Sequence, residues 1–436
     1  MSKQIKSVQQ INYFNEEGPV SNESKPWQQT MSDERFDLMR RILDAPSPIG
    51  LEAAMTRGVL EPHLRSFMPA DWAIHSFKGN AGIVMDTKPN DPDAFSVMVI
   101  GHADKIRMQV RSIGDDGKIW VNSDSMLPTT LIGHKVKLFS EDPEKPGTWR
   151  VIKGGTIEAI GAIHFADPKL RSGDDGIKTK MMYLELHIHG ENKKAQIEAL
   201  GIRPGDPIIY DRPIERGFSP DTFSGAYLDN GLGCFVAAEI GRLVAESSLS
   251  NVRYLGAFAS HEEIGRFGSR VLAEHFRPDV TIAVDVAHDF TAAPGIGDRR
   301  YEPVAMSEGY TLTHGAVTSA ALNSMITSVS IEHGIPVQHE LAGRDTGTDA
   351  MAAVLAAIDS ACASIGFPIR NMHTISESGH TGDVEAAIHA IYQTMRRMDG
   401  MNNGSGMTAD DLRDTHPRLD DAAALAHRPA PPKDEV

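Results

Sequence analysis

Glu262 and Glu263 stand side by side, after the strand-like run 254–260 and before Ile264 and Gly265. Neighbouring side chains on an extended segment point to opposite sides. One carboxylate of such a pair can hold a metal ion while the other faces a metal-bound water as a general base. A lone Glu-Glu is more simply a solvated acidic pair at a strand end. What weighs against that reading is the placement of other metal-ligand residue types at the ends of further apolar runs.

His102 and Asp104 stand two apart, just beyond the apolar run 95–100. That spacing puts both on one face, so one can ligate an ion while the other steers it or the base. Taken alone, the pair reads more simply as a structural histidine beside a turn aspartate. Asp229-Asn230 opens a helix-like stretch, where Asp is first of all an N-cap. The alternative is a carboxylate bridging two ions, with Gly231 and Gly233 allowing close backbone approach. Asp285 ends the apolar run 280–284, at the carboxyl edge where ligands of α/β sheets collect; His288 and Asp289 compete for that role. His373 is as readily a core histidine as a ligand. His380, set among Ser and Gly, suits a surface turn.

These residues need a scaffold. A helix pattern begins near Ser32-Asp33-Glu34, carries Phe36, Met39, Ile42 and Leu43 on one face, and stops at Pro46-Ser47-Pro48. Residues 95–100 read as a buried strand. Helix 231–244, strand 252–260, helix 267–275 and strand 280–286 then alternate, which predicts an α/β sheet with helices on its faces. Between 110 and 215 short β-rich pieces alternate with Gly, Pro and Asp turns, the texture of a small inserted β domain. The expected organisation is a flexible arm at 1–30, a catalytic α/β domain at 31–109 and 216–400, the insert at 110–215, and a disordered tail at 401–436.

Composition bounds the partners. The chain has 436 residues, 41% hydrophobic and 23% charged, the profile of a globular protein with a sizeable core. Its 43 basic and 59 acidic residues give a net charge of −16, which disfavours nucleic acid and anionic membrane. Only two cysteines occur, Cys234 and Cys362, each in a helix-like stretch, so no disulfide framework is expected. No apolar run is long enough to span a membrane, and Met1-Ser2-Lys3-Gln4-Ile5 lacks a signal core, so a cytoplasmic location is expected.

The ordered series His102-x-Asp104, Asp229-Asn230, Glu262-Glu263, Asp285 and His373 resembles the glutamyl aminopeptidase and tetrahedral aminopeptidase family of metallopeptidases. Pro46-Ser47-Pro48-Ile49-Gly50-Leu51-Glu52, Gly79-Asn80, Gly205-Asp206, Gly347-Thr348-Asp349-Ala350 and the spacing His373 to Glu377 to Asp383 match as well. The likeness covers residues 32–398. It implies a metallopeptidase-type mixed sheet flanked by helices, with an inserted small β-barrel-like domain used in oligomer formation. It implies that His102, Asp229 and Asp285 bind one divalent ion and Asp229, Glu263 and His373 a second. Glu262 would be the general base, and Asp104 its partner or the orienter of His102. One or two ions of manganese, zinc or cobalt are expected, the ligand types not choosing among them. A homo-oligomer is also expected.

Departures from the family gather near the substrate. Lys105-Ile106-Arg107 stands where the family has Glu-Ile-Gly, and His261 where it has Gln. Asp359-Ser360-Ala361-Cys362-Ala363 replaces a Gly-Val-Pro-Thr-like loop. Asn371 replaces a Tyr, and Thr374-Ile375 a Ser-Pro. Lys105, Arg107, Arg266 and Arg370 add cations, which elsewhere would be read as surface charge. Arg107 replaces a glycine, and an arginine there can grip a small carboxylate by paired hydrogen bonds. Arg107, Lys105, His261 and Arg370 are therefore expected to bind substrate. The departures favour a small-molecule aminohydrolase that releases ammonia from an aromatic amino acid such as 5-nitroanthranilate, giving 5-nitrosalicylate. The alternative is an aminopeptidase acting on short peptides. A non-catalytic assembly protein is disfavoured because Glu262 and every candidate ligand are present.

Overall fold

A computed structural model of the chain describes residues 25–123, 125–161, 163–247, 249–292, 304–356, 359–401 and 409–412. The expected arm up to residue 24, and most of the expected tail from 402, lie outside the described residues.

The fold is α/β, built on an eight-stranded mixed sheet. In spatial order its strands are Ala73–Ser76, Gly82–Asp86, Arg253–Ala259, Ser96–His102, Val280–His288, Ala361–Ile369, Tyr310–His314 and Val337–Leu341. The central four, from Arg253–Ala259 to Ala361–Ile369, are parallel. They are buried almost throughout, which explains why they read as continuous apolar runs rather than as alternating ones. Antiparallel pairing begins only toward the edges.

Helix Leu228–Ser247 packs against the strands Ser96–His102, Arg253–Ala259 and Val280–His288 on one face, beneath Asp33–Leu43 and Thr381–Met401. Helices Phe267–Phe276 and Ala350–Leu355 pack on the sheet together. Ser32 caps Asp33–Leu43 by accepting from the Arg35 amide. Two glycines let the long helix come close to the sheet. A Cβ on Gly101 would meet Gly233 C at 2.4 Å, and one on Gly233 would meet Val284 O at 2.5 Å. This contact sets the helix start, with Asp229, directly above the strand ends.

The insert closes into a six-stranded antiparallel barrel of Met108–Ile113, Ile119–Ser123, Met182–Glu185, Trp149–Ala159, Lys135–Glu141 and Pro207–Tyr210. It has its own core, with Met108, Val121, Leu138, Ile157, Leu184 and Ile208 all fully buried. Cys362 corrects one expectation. It lies in the strand Ala361–Ile369 rather than in a helix, because the run pairs in parallel with Val280–His288, Cys362 opposite Thr281, and its thiol packs with Ala283 and Ala350. Cys234 is helical, and both thiols are free and buried. Among the described residues no helix is long and apolar enough to cross a membrane.

Candidate metal centre

The expected ligands converge at the carboxyl ends of the parallel strands, where open α/β sheets bind ligands. His102 is the last residue of Ser96–His102, Asp285 lies in Val280–His288, and Glu262 and Glu263 follow Arg253–Ala259. Asp229 stands just before the first regular turn of the long helix, and His373 sits in the turn between Ala361–Ile369 and Glu377–His380. Asp229 stands between the two histidines. Its Oδ1 lies 3.1 Å from His102 Nε2 and its Oδ2 lies 3.1 Å from His373 Nε2. His102 Nε2 is 3.8 Å from Asp285 Oδ1, and His373 Nε2 is 3.8 Å from Glu263 Oε1.

Ligand atoms of His102, Asp229 and Asp285 lie within 4.8 Å of one another, and so do those of Asp229, Glu263 and His373. The two groups share Asp229. Glu263 Oε1 is buried and accepts no hydrogen bond, an unfavourable state for a carboxylate oxygen unless a cation faces it, and Asp229 Oδ1 has the His102 imidazole beside it. Burial pushes the Glu263 carboxyl well up, with repulsion from Asp229 adding to it. Burial likewise raises Asp285 well above the usual range. Burial opposes charge on Asp229 too, yet His102 and His373 hold its carboxyl below the ordinary range. Carboxylates crowded in this way ionise together only beside a strong positive charge. The mixed imidazole and carboxylate set suits a divalent transition metal.

The local sequence explains how the cluster is held. Asp104 Oδ1 accepts the Glu262 amide at 3.0 Å and Oδ2 accepts the Glu263 amide at 3.2 Å. Its backbone oxygen lies 3.2 Å from His102 Nδ1. One buried residue thereby fixes the acidic pair and turns the imidazole, as is usual around metal ligands. Asn230, not Asp229, caps the long helix: its Oδ1 accepts the Gly233 amide at 2.9 Å and its Nδ2 donates to Val284 O at 2.7 Å. Asp229 has non-helical backbone, which frees its side chain for the cluster.

Sequence reasoning gave Glu377 a place in a spacing but no role. Its Oε1 accepts the His373 amide at 2.7 Å, and its Oε2 accepts the Leu228 amide at 2.6 Å. It ties the His373 turn to the Asp229 helix, and burial pushes its carboxyl up to about 8. The signal was its place four residues after His373.

Glu262 has one oxygen on each side. Oε1 accepts from Arg266 Nε at 3.1 Å, and Oε2 lies 3.9 Å from His102 Nε2. Arg266 also donates through Nη1 to Asp345 at 2.8 Å. Burial raises the Glu262 carboxyl to about 7, with the nearby carboxylates adding to the effect and His102 opposing it.

The cluster floors a cavity of about 390 Å³, within the usual size range for small-ligand sites. Its walls include Val286, Phe290, Val304, Leu341 and Met372. The residues expected to bind substrate do not line it. Lys105 is fully buried, and its Nζ donates to Leu43 O at 2.5 Å and to Ala45 O. These carbonyls end the first helix, so the ammonium serves the helix terminus rather than a ligand. Arg370 Nε donates to Asp289 Oδ2 at 2.7 Å, which also turns Asp289 away from the cluster. Arg107 donates to Gln109, and His261 Nε2 lies 3.6 Å from Glu52 Oε1. His380 caps the Gly382 amide, away from the cluster.

Residues 82–389 match the model of the M42 glutamyl aminopeptidase family. A lysyl aminopeptidase of Pyrococcus furiosus is 28% identical over 370 residues, 84% of this chain and 98% of that one. A TET aminopeptidase from the marine-sediment archaeon Thaumarchaeota archaeon SCGC AB-539-E09 superposes with a TM-score of 0.72 at 20% identity, covering 85% of this chain and 99% of that one. A TET1 peptidase of Pyrococcus horikoshii, which can assemble into a tetrahedron or a large octahedral shell, superposes with a TM-score of 0.66 at 19% identity, covering 82% and 98%. The chain belongs to the M42 glutamyl aminopeptidase family and is a metal-dependent hydrolase.

Proposed function

We propose that the chain is an aminopeptidase that removes N-terminal residues from short peptides. The observation that carries this reading is the pair of ligand groups sharing Asp229, with Glu262 beside them at the base of a cavity. His102, Asp229 and Asp285 would hold one divalent ion, and Asp229, Glu263 and His373 a second. Bound there, such ions act as Lewis acids and ease deprotonation of water. Glu262 would accept the proton of the attacking water at Oε2, since Arg266 engages Oε1. As the peptide C–N bond breaks, the same carboxyl would pass that proton to the leaving amine. Water is consumed, and an amino acid and a shortened peptide leave. Asp104 would keep Glu262 and Glu263 in register throughout.

A second reading, ammonia release from an aromatic amino acid such as 5-nitroanthranilate, has one observation in its favour. The apolar wall of Phe290, Val304, Leu341 and Met372 would accept a flat ring. Against it, Lys105, Arg107 and Arg370 do not line the cavity to grip a substrate carboxylate. The relative's name, lysyl aminopeptidase, speaks for peptides.

The two are separated by assaying metal-loaded protein on amino-acid anilides and on 5-nitroanthranilate. Anilide cleavage without ammonia release is expected; the opposite result reverses the assignment. Glu262→Gln should lower kcat by about 10²–10⁴-fold with metal content unchanged, and unaltered turnover would remove Glu262 as the base.

We further propose that the chain forms a homo-oligomer through its barrel. Leu127, Trp149, Val151, Ile163 and Phe165 are exposed apolar residues on or beside it. The Pyrococcus horikoshii relative forms closed shells. A monomeric mass by light scattering at micromolar concentration would refute this.

A further inference from the structure

Six carboxylates line the cavity: Asp229, Glu262, Glu263, Asp285, Glu340 and Asp345. Among the described lining residues there is no lysine or arginine. Asp229, Glu262, Glu263 and Asp285 belong to the cluster at the floor. Asp345 is answered by Arg266 at 2.8 Å. Glu340 is left over. It lies on the edge strand Val337–Leu341, in register with Thr313 of the neighbouring strand. Thr313 Oγ1 donates to its Oε1 at 2.7 Å, and both residues line the cavity. No ion pair to Glu340 forms among the described residues. Burial raises its carboxyl, an effect that the Thr313 hydroxyl opposes. A half-buried carboxylate whose one donor among the described residues is a neutral hydroxyl is poorly compensated, and an incoming cation would supply what those residues do not.

We propose that Glu340 is a specificity-determining residue that receives the basic side chain of a lysine or arginine at the substrate's N-terminus. The side-chain ammonium or guanidinium would form a charge-assisted hydrogen bond with the carboxylate. Its aliphatic stem would lie along Leu341 and the neighbouring apolar wall, as long basic side chains commonly do. Thr313 holds the carboxylate in place from the adjacent strand. This inference rests on the aminopeptidase reading.

The experiment compares kcat/KM on lysyl and leucyl anilides for the metal-loaded wild-type protein and for Glu340→Gln, which keeps the side chain's shape. Wild type should prefer the lysyl substrate. The substitution should lower lysyl kcat/KM by about 10–100-fold, the loss of one charged hydrogen bond. Leucyl turnover should stay within about threefold, because the side chain of that substrate makes no charged bond. It also serves as the control for folding. Calorimetry gives a second readout: L-lysinamide should bind Glu262→Gln protein more tightly than L-leucinamide, and lose that advantage when Glu340→Gln is added. A wild-type preference for leucyl anilide, or an equal fall on both substrates, overturns the inference while leaving the aminopeptidase reading intact. The equal fall would assign Glu340 to the α-ammonium instead. Cleavage of neither anilide overturns both.

Discussion

In the barrel, Met108, Val121, Leu138, Ile157, Leu184 and Ile208 meet in a core with no charge in it. Its buried carboxylate, Asp206, sits at the margin and accepts the Arg203 amide at 3.1 Å. At the carboxyl end of the main sheet, Asp229, Glu262 and Asp285 are buried with Glu263 partly so beside them, and Glu263 Oε1 accepts no hydrogen bond. Among the described residues no carboxylate oxygen of the barrel is left in that state. Apolar burial is favourable by itself, at roughly 25 cal/mol per Å². Crowded carboxylates are favourable only with a cation among them. The first region is stable on its own terms, and the second is complete only with ions bound.

The two regions should differ most at Asp229, the residue common to both candidate ligand groups. Asp229→Ala should take metal content and turnover to background, read by elemental analysis and an anilide assay; a variant that keeps two ions would sink the shared-ligand geometry. In the barrel the loss should be of stability instead. Leu138→Ala removes a fully buried side chain and should destabilise by about 2–5 kcal/mol. Urea unfolding measures that loss, while metal content per folded chain stays unchanged.

Between the two extremes lies His389, against Trp27 and 4.0 Å from Glu385. Burial, helped by Arg35 and Arg242 and opposed by Glu239, lowers its pKa to about 4. The folded state therefore leaves this ring neutral while the unfolded chain protonates it near its ordinary value. Stability from this residue is full above about pH 6.5 and falls as pH drops toward 4, by on the order of 2–3 kcal/mol. Denaturation of His389→Gln at several pH values should lack that part of the slope. A slope identical to wild type would show that the ring titrates normally.

The smallest effect is expected at Glu377, which supports the ligands without touching an ion. Glu377→Gln should weaken metal affinity by about 10–100-fold, measured by competition with a chelator. No change there would mean that the backbone alone holds the His373 turn.

Much of this was legible in the sequence because strand ends carry their own punctuation. An apolar run ending in His102, or in Asp285, places its residue at the sheet's carboxyl edge from local pattern alone. The same pattern located the barrel as a stretch of short strands and turns. What was not legible depends on partners far along the chain. Lys105 looks like a free cation until the carbonyls of Leu43 and Ala45 are brought to it. Arg370 looks the same until Asp289 is seen beside it. The Asp229-Asn230 dipeptide offers two residues equally able to cap a helix, and only the approach of Val284 O to Asn230 divides the roles. Cys362 shows the limit of composition, since an alanine-rich run serves a crowded strand as well as a helix.

The candidate ligands and the proposed selector sit on different parts of the sheet. His102 and Asp285 are carried by central strands, and Asp104 fixes the acidic pair that follows a third. Thr313, Glu340 and Leu341 belong to the two outermost strands on one side. If Glu340 selects the substrate as proposed, exchanges in that outer pair would change which molecules are accepted and leave the residues of the central strand ends untouched. A change of substrate would then need only single substitutions at the sheet's edge, with the metal-ligand cluster kept whole.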